Sequence, residues 1–217
     1  MTDFAARRTM MVDTQVRPSD VTKFPIIDAM LSVPKQDYVP DDMIEAAYVG
    51  ENITLPEGRI VLEPRTFAKM LDALDIQPGD MVLDLGCGFG YSSAVLGHMA
   101  EAVVGVESDE AMAEEAQSKL SAGGVDNVAV MAGELAKGAA KHGPYDVILL
   151  HGGVEKLPQS IIDQLKDGGR IACLFMEGAL GACRIGYKAE DSVSWRFAFN
   201  ASAPLVAGFE KERSFAL

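Results

Sequence analysis

The sequence predicts an α/β fold with a mostly parallel seven-stranded sheet, helices on both faces and a helical N-terminal extension. Three observations predict it. Short, continuously apolar runs alternate with helical patterns from about residue 66 to 176, as in strands buried on both faces. The first run leads straight into a glycine-rich turn that opens a helix. After residue 176 two further strand-like runs follow one another with no helix between them, as at an antiparallel sheet edge.

Met81–Leu85 is the first buried strand, set off by the turn Gln77-Pro78-Gly79-Asp80 from a helix whose face carries Phe67, Met70, Leu71 and Leu74. Tyr91 to Met99 reads as a helix, Ala102–Val106 as a strand, and Asp109 to Leu120 as a helix with Ala, Met and Leu on one side. Strands follow at Val128–Met131, Tyr145–Leu150 and Arg170–Phe175, with a helix from Pro158 to Leu165 ending near Gly168-Gly169. Cys183 to Lys188 and Ser194 to Phe199 are the edge strands. Residues 1–65 hold six of the ten prolines (Pro18, Pro25, Pro34, Pro40, Pro56, Pro64). There a helical pattern over Phe24–Leu31 is capped by Ser19 or Asp20 and stopped by Pro34. The expected organisation of residues 1–217 is one domain: extension and acceptor-side segment at 1–65, core at 66–176, edge strands at 177–217.

With 217 residues, 48% hydrophobic and 24% charged, the chain is long enough for one sizeable core. A net charge of -13 repels phosphate backbones, so nucleic acid is not an expected partner. The most apolar stretch, Ile171 to Met176, stops at Glu177, far short of the ~20 residues of a membrane span. Cys87, Cys173 and Cys183 form no CxxC pair, which excludes a zinc site or disulfide framework, and no metal is expected. With no apolar secretory region at the N-terminus, the expected location is cytoplasmic.

Asp84-Leu85-Gly86-Cys87-Gly88-Phe89-Gly90 carries the chemistry. Its glycines let the chain turn sharply and a ligand approach closely. The spacing is G-x-G-x-G, where a dinucleotide fingerprint is usually G-x-G-x-x-G. Asp84 would face a pyrophosphate unfavourably but suits a ligand bearing an ammonium and a sulfonium, as S-adenosylmethionine (SAM) does. Glu107, closing the second strand, can accept from both ribose hydroxyls. Glu134, after Gly133 and the third strand, can accept from an adenine amino group. The plainer alternatives are a solvated strand end for Asp84, a surface acid for Glu107, and for Glu134 a helix-start acid favoured by the dipole. Cys87 reads as a small loop filler, His98 as a helix-surface residue, and His151 as a structural residue or one at the ligand end.

The chain resembles the protein-L-isoaspartate O-methyltransferase family from about residue 10 to 210. Phe24 to Pro40 looks like the family's "AM..VPRE.FVP" segment, and Gln77 to Tyr91 is similar to its "KPGDKVLDVGSGSGY". Pro144-Tyr145-Asp146, Leu157 to Arg170 and Ala203-Pro204-Leu205-Val206 resemble its "PYD", "IPQALIDQLKPGGR" and "VPLV". The resemblance implies a Rossmann-like class I methyltransferase fold, SAM as donor with S-adenosyl-L-homocysteine as product, and methylation of the α-carboxylate of L-isoaspartyl residues in damaged proteins or peptides. The expected SAM-binding set is Asp84, Gly86, Cys87, Gly88, Gly90, Glu107, Ser108, Gly133, Glu134 and His151. A homodimer stays open as an assembly state.

The chain also departs from the pattern. The family's "GYGQTISAP" reads Gly58-Arg59-Ile60-Val61-Leu62-Glu63-Pro64 here, so a Thr becomes Ile60 and a Ser becomes Leu62. The "DG" after the third strand is Glu134-Leu135, and the small residue after the fourth is His151. The donor side looks kept and the acceptor side remodelled, with Arg59, Leu62 and His151 as acceptor-side candidates. Arg59 is either a partner for a substrate carboxylate or a surface residue. A different methyl acceptor, or SAM binding without turnover, are the competing readings. An NAD-dependent oxidoreductase is disfavoured by the loop spacing and Asp84.

Overall fold

The computed structural model describes residues 3–211. Helix α1 spans Phe4–Met11, its first turn capped by Asp3, whose carboxylate accepts the Ala6 N–H at 3.0 Å. A five-residue π-helical stretch, Val12–Val16, continues it. Helix α2 is Phe24–Ser32, with Pro25 in its first turn. Neither Ser19 nor Asp20 caps it. Lys23 is its N-cap residue, and Asp20 instead ends the preceding turn in the left-handed region at φ 65°.

Two short strands, β1 (Ile53–Thr54) and β2 (Ile60–Val61), pair antiparallel as a hairpin. Helix α3 (Pro64–Leu74) follows, with Pro64 opening it and Asp75 closing it in the left-handed region. Its buried stripe of Phe67, Met70, Leu71 and Leu74 is the one the 3.6-residue period marks.

The main sheet is built from β3 (Met81–Leu85), β4 (Ala102–Glu107), β5 (Val128–Ala132), β6 (Tyr145–Val154), β7 (Leu165–Glu177), β8 (Leu180–Ala189) and β9 (Ser192–Asn200). Its order is β5-β4-β3-β6-β7-β8-β9. The first five strands run parallel, and β7–β8 and β8–β9 pair antiparallel. This is the seven-stranded sheet with an antiparallel edge that the sequence pattern predicts. Helices α4 (Tyr91–Gly97) and α5 (Glu110–Ala122) are the crossovers after β3 and β4. Asp109 caps α5, accepting the Met112 N–H at 2.7 Å.

One expected helix is much shorter. Instead of Pro158 to Leu165, α6 covers only Gln159–Ile162. Leu165 already belongs to β7, opposite Tyr145, and the ladder resumes at Val147 and Arg170. The Gly168-Gly169 turn is therefore a bulge within β7 rather than a helix stop.

A second bulge positions the site. Leu149 pairs with Ala172 and Gly153 with Leu174, so Leu150, His151 and Gly152 of β6 stand opposite the single Cys173 of β7. Bulges beside a ligand cleft re-aim side chains and free backbone groups. Here His151 turns inward and its carbonyl leaves the ladder.

Candidate donor site

Asp84 and Glu107 end neighbouring parallel strands, and both are fully buried. The readings of Asp84 as a solvated strand end and of Glu107 as a surface acid are therefore overturned. An unpaired buried carboxylate is costly, so the partners matter.

Asp84 Oδ2 accepts from Ser92 Oγ at 2.7 Å and Ser93 Oγ at 2.6 Å, both in the first turn of α4. Asp84 Oδ1 lies 2.8 Å from His151 Nε2. Burial pushes the Asp84 carboxyl up, but the charge and hydrogen bond of His151 with the two serines outweigh it and hold the group below the usual carboxylate range. Asp84 is thus engaged by the chain rather than open to a ligand ammonium.

Glu107 is engaged still further. Its Oε2 accepts the Gly88 N–H at 2.8 Å, and Oε1 accepts the Ser108 N–H at 2.7 Å and Oγ at 3.0 Å. Arg59 Nε approaches the same carboxylate at 3.4 Å. A carboxylate has about four acceptor positions, so these four donors fill it. Its backbone carbonyl also accepts the Gly133 N–H at 2.9 Å, which fixes the turn after β5.

Arg59 is the residue whose place differs most from expectation. It was expected on the acceptor side or at the surface, and it is buried in the donor cleft. Its Nη2 donates to the Gly86 carbonyl at 2.8 Å and to the freed His151 carbonyl at 3.0 Å. The physical reason is the β1–β2 hairpin. Leu55 N–H donates to the Arg59 carbonyl at 2.8 Å, closing a tight loop that lies over the glycine turn. Ile60 and Val61 go to the core, and Arg59 meets the buried Glu107 carboxylate, which a cation stabilises.

The three glycines of the loop serve three different neighbours. Each has positive φ: 76° at Gly86, 56° at Gly88 and 94° at Gly90. A Cβ on Gly86 would lie 1.5 Å from Arg59 Nη2, and one on Gly88 would lie 2.5 Å from Leu55 Cδ1. At Gly90 the neighbours are Leu120 and Ala116 of α5, so that glycine serves helix packing. Cys87, between them, is a buried thiol. Burial, Asp84 and Glu107 all push its pKa up, which suits the loop filler expected and not a nucleophile.

Two spaces flank Arg59. On the side of α3, Phe67 stands 5.5 Å from the His151 ring and 5.9 Å from Tyr91, centroid to centroid. With Ile60, Leu62 and Ser92 they enclose about 10 Å³, room for roughly one water. Leu62 is buried there and offers no hydrogen-bond donor. On the other side a cleft of about 280 Å³ is bounded by Arg59, Ser108, Glu134, Leu135 and the 205–208 segment. That is near the low end of the roughly 300–1,000 Å³ of ligand pockets. Glu134 is exposed at its rim and pairs with Lys137 at 2.6 Å. His98 is exposed at the end of α4, as expected. Among the described residues no cluster of His, Cys, Asp and Glu could hold a metal ion.

Parallel strands, a glycine turn into a helix, a carboxylate ending the next strand and an antiparallel edge together define a class I methyltransferase fold. The family model for protein-L-isoaspartate(D-aspartate) O-methyltransferase (PCMT) matches residues 7–179. The protein-L-isoaspartate O-methyltransferase of Koribacter versatilis (strain Ellin345) is 34% identical over 171 residues, 79% of this chain and 77% of that protein. Protein-L-isoaspartate O-methyltransferase 1 of Rhodopseudomonas palustris (strain HaA2) is 36% identical over 78% of this chain and 69% of its own. Among solved structures, a protein-L-isoaspartate O-methyltransferase superposes with TM-score 0.81 at 21% identity, covering 95% of this chain and 66% of that one. A Plasmodium falciparum protein in complex with S-adenosyl-L-homocysteine superposes with TM-score 0.78 at 16% identity, covering 94% and 98%. The chain belongs to the protein-L-isoaspartate(D-aspartate) O-methyltransferase family.

Proposed function

We propose that the chain is a SAM-dependent carboxyl O-methyltransferase acting on L-isoaspartyl residues of damaged proteins, as a single domain over residues 1–217. The observation that carries this is the family match across residues 7–179, which takes in both the glycine-loop core and the N-terminal segment.

The fit to the donor is good in one half and closed in the other. The 280 Å³ cleft with Ser108, Glu134 and Leu135 suits an adenosine moiety beside Glu107. The space toward Gly86 is filled by the Arg59 side chain. When bound, SAM supplies an electrophilic methyl group. An α-carboxylate is already ionised at neutral pH and needs no strong general base. The chain's task is then to align that carboxylate and exclude water, and the enclosed wall of Phe67, Leu62 and His151 suits exclusion.

Transfer of a labelled methyl group from SAM to an isoaspartyl peptide, absent with the aspartyl isomer, tests the proposal. No transfer to the isoaspartyl peptide refutes it. A different acceptor is the second reading, favoured by the apolar Ile60 and Leu62 where the family pattern has hydroxyl residues. Methylation of another protein pool alone would select it. The net charge of -13 argues against nucleic acid as substrate. No helix among the described residues is long and apolar enough to cross a membrane. A cytoplasmic location and a homodimer remain parts of the proposal.

A further inference from the structure

Three facts at Arg59 point the same way. Its guanidinium takes the volume that the missing Gly86 side chain opens, 1.5 Å from where a Cβ would stand. It takes the Gly86 and His151 carbonyls, two acceptors in the turn after β3 and in the β6 bulge. And it completes the set of donors around Glu107, the carboxylate that a ribose would need. Leu55, from the same hairpin, fills the clearance at Gly88. The chain has put its own cation where the charged end of a donor would lie, and left the nucleoside end open.

We infer that Arg59 is a specificity-determining residue of the donor site: with its guanidinium seated, the cleft admits a neutral purine nucleoside and disfavours the sulfonium-bearing donor. SAM enters when Arg59 is withdrawn. This inference rests on the proposed reading of the cleft as the SAM site. The physical ground is simple. A sulfonium seated beside Gly86 would meet the Arg59 guanidinium, and two cations at close range in a buried site repel strongly. Steric exclusion acts in the same direction, since about 10 Å³ on the Phe67 side holds no aminoacyl chain.

Isothermal calorimetry with adenosine, S-adenosylhomocysteine and SAM on the full chain tests it. In the wild-type chain adenosine is expected to bind at least tenfold more tightly than SAM, although SAM contains adenosine, with S-adenosylhomocysteine between them. In Arg59→Gln, which keeps hydrogen-bond donors and removes the charge, SAM affinity rises at least tenfold while adenosine affinity stays within about threefold. A wild-type chain that binds SAM tenfold more tightly than adenosine overturns the inference without any variant. So does an Arg59→Gln protein that melts cooperatively yet keeps the wild-type ratio. If neither ligand binds either protein, the reading of the cleft falls together with the inference. If binding follows the expected order but no isoaspartyl peptide is methylated, the inference stands and only the acceptor reading falls.

Discussion

Lys35 is fully buried, and among the described residues its Nζ has no hydrogen-bond acceptor. The Tyr91 ring lies 5.5 Å from it. Burial pushes its pKa from 10.5 down to about 7. At about 1.4 kcal/mol per pH unit, that interval corresponds to about 5 kcal/mol of penalty once the folded chain must carry the proton. The cation–π contact returns up to about 2 kcal/mol. Lys35→Met, unbranched and close in volume, should therefore stabilise the fold by about 3 kcal/mol at pH 7. The pH dependence gives a sharper signature. Between about pH 7 and 10.5 the unfolded chain holds a proton at Lys35 that the folded chain has released. Wild-type stability at this residue thus rises with pH across that window, and the penalty is complete below it. Urea denaturation of both proteins at pH 7 and pH 10 checks this through the midpoint at constant slope. The advantage of the Met variant should shrink by most of its value at the higher pH. An advantage that is absent at pH 7, or equal at both pH values, refutes the reasoning.

Gly86→Ala places a methyl against the Arg59 guanidinium at φ 76°, so a loss of about 1–3 kcal/mol in chemical denaturation is expected, and an unchanged midpoint would contradict the seated position. Glu107→Gln leaves the Arg59 charge buried without its anion, and the expected loss is about 3–5 kcal/mol. A loss under about 1 kcal/mol would show that the pair is not buried in solution. Asp84→Asn should flatten the acid limb of stability. The folded Asp84 pKa is depressed below 3.8, so its contribution is present above that value and disappears as pH falls through the lower folded one. An acid unfolding profile identical to wild type would refute the Ser92, Ser93 and His151 pairing.

The sheet was legible because its strands declare themselves by burial. Val82-Leu83 and Val147–Leu150 are apolar on both faces, and only a strand covered by two helical layers tolerates that. The edge strands were legible from the missing helix between them. Where the reading failed, the signal was tertiary. Pro158 to Leu165 has helical spacing, but Leu165 is worth more buried against Tyr145 at the start of β7. The β1–β2 hairpin has two residues per strand, too few for any period to register. His151 looked like a residue after a strand, because nothing in Leu149-Leu150-His151-Gly152 announces a bulge of this size.

Arg59 carries the more general lesson. G-x-G-x-G reports that side chains are excluded from a turn, and the structure honours that at all three positions. It does not report what takes the vacated space. At Gly90 a neighbouring helix does, at Gly88 a leucine, at Gly86 a guanidinium. Charge is the more selective clue. Two buried carboxylates at the ends of adjacent strands require compensating partners, and the requirement is met equally by a ligand's cationic group or by a side chain on a hairpin long enough to reach. The sequence reading puts a ligand's cation beside Asp84 and a ribose beside Glu107; in the structure His151 and two serines engage Asp84, and the Arg59 cation stands beside Glu107. The hairpin decides whether the cation comes from inside or outside the chain. Binding of a cationic donor must displace an internal competitor of like charge, which is why the affinity ratio between SAM and adenosine, rather than the affinity of either alone, measures what Arg59 does.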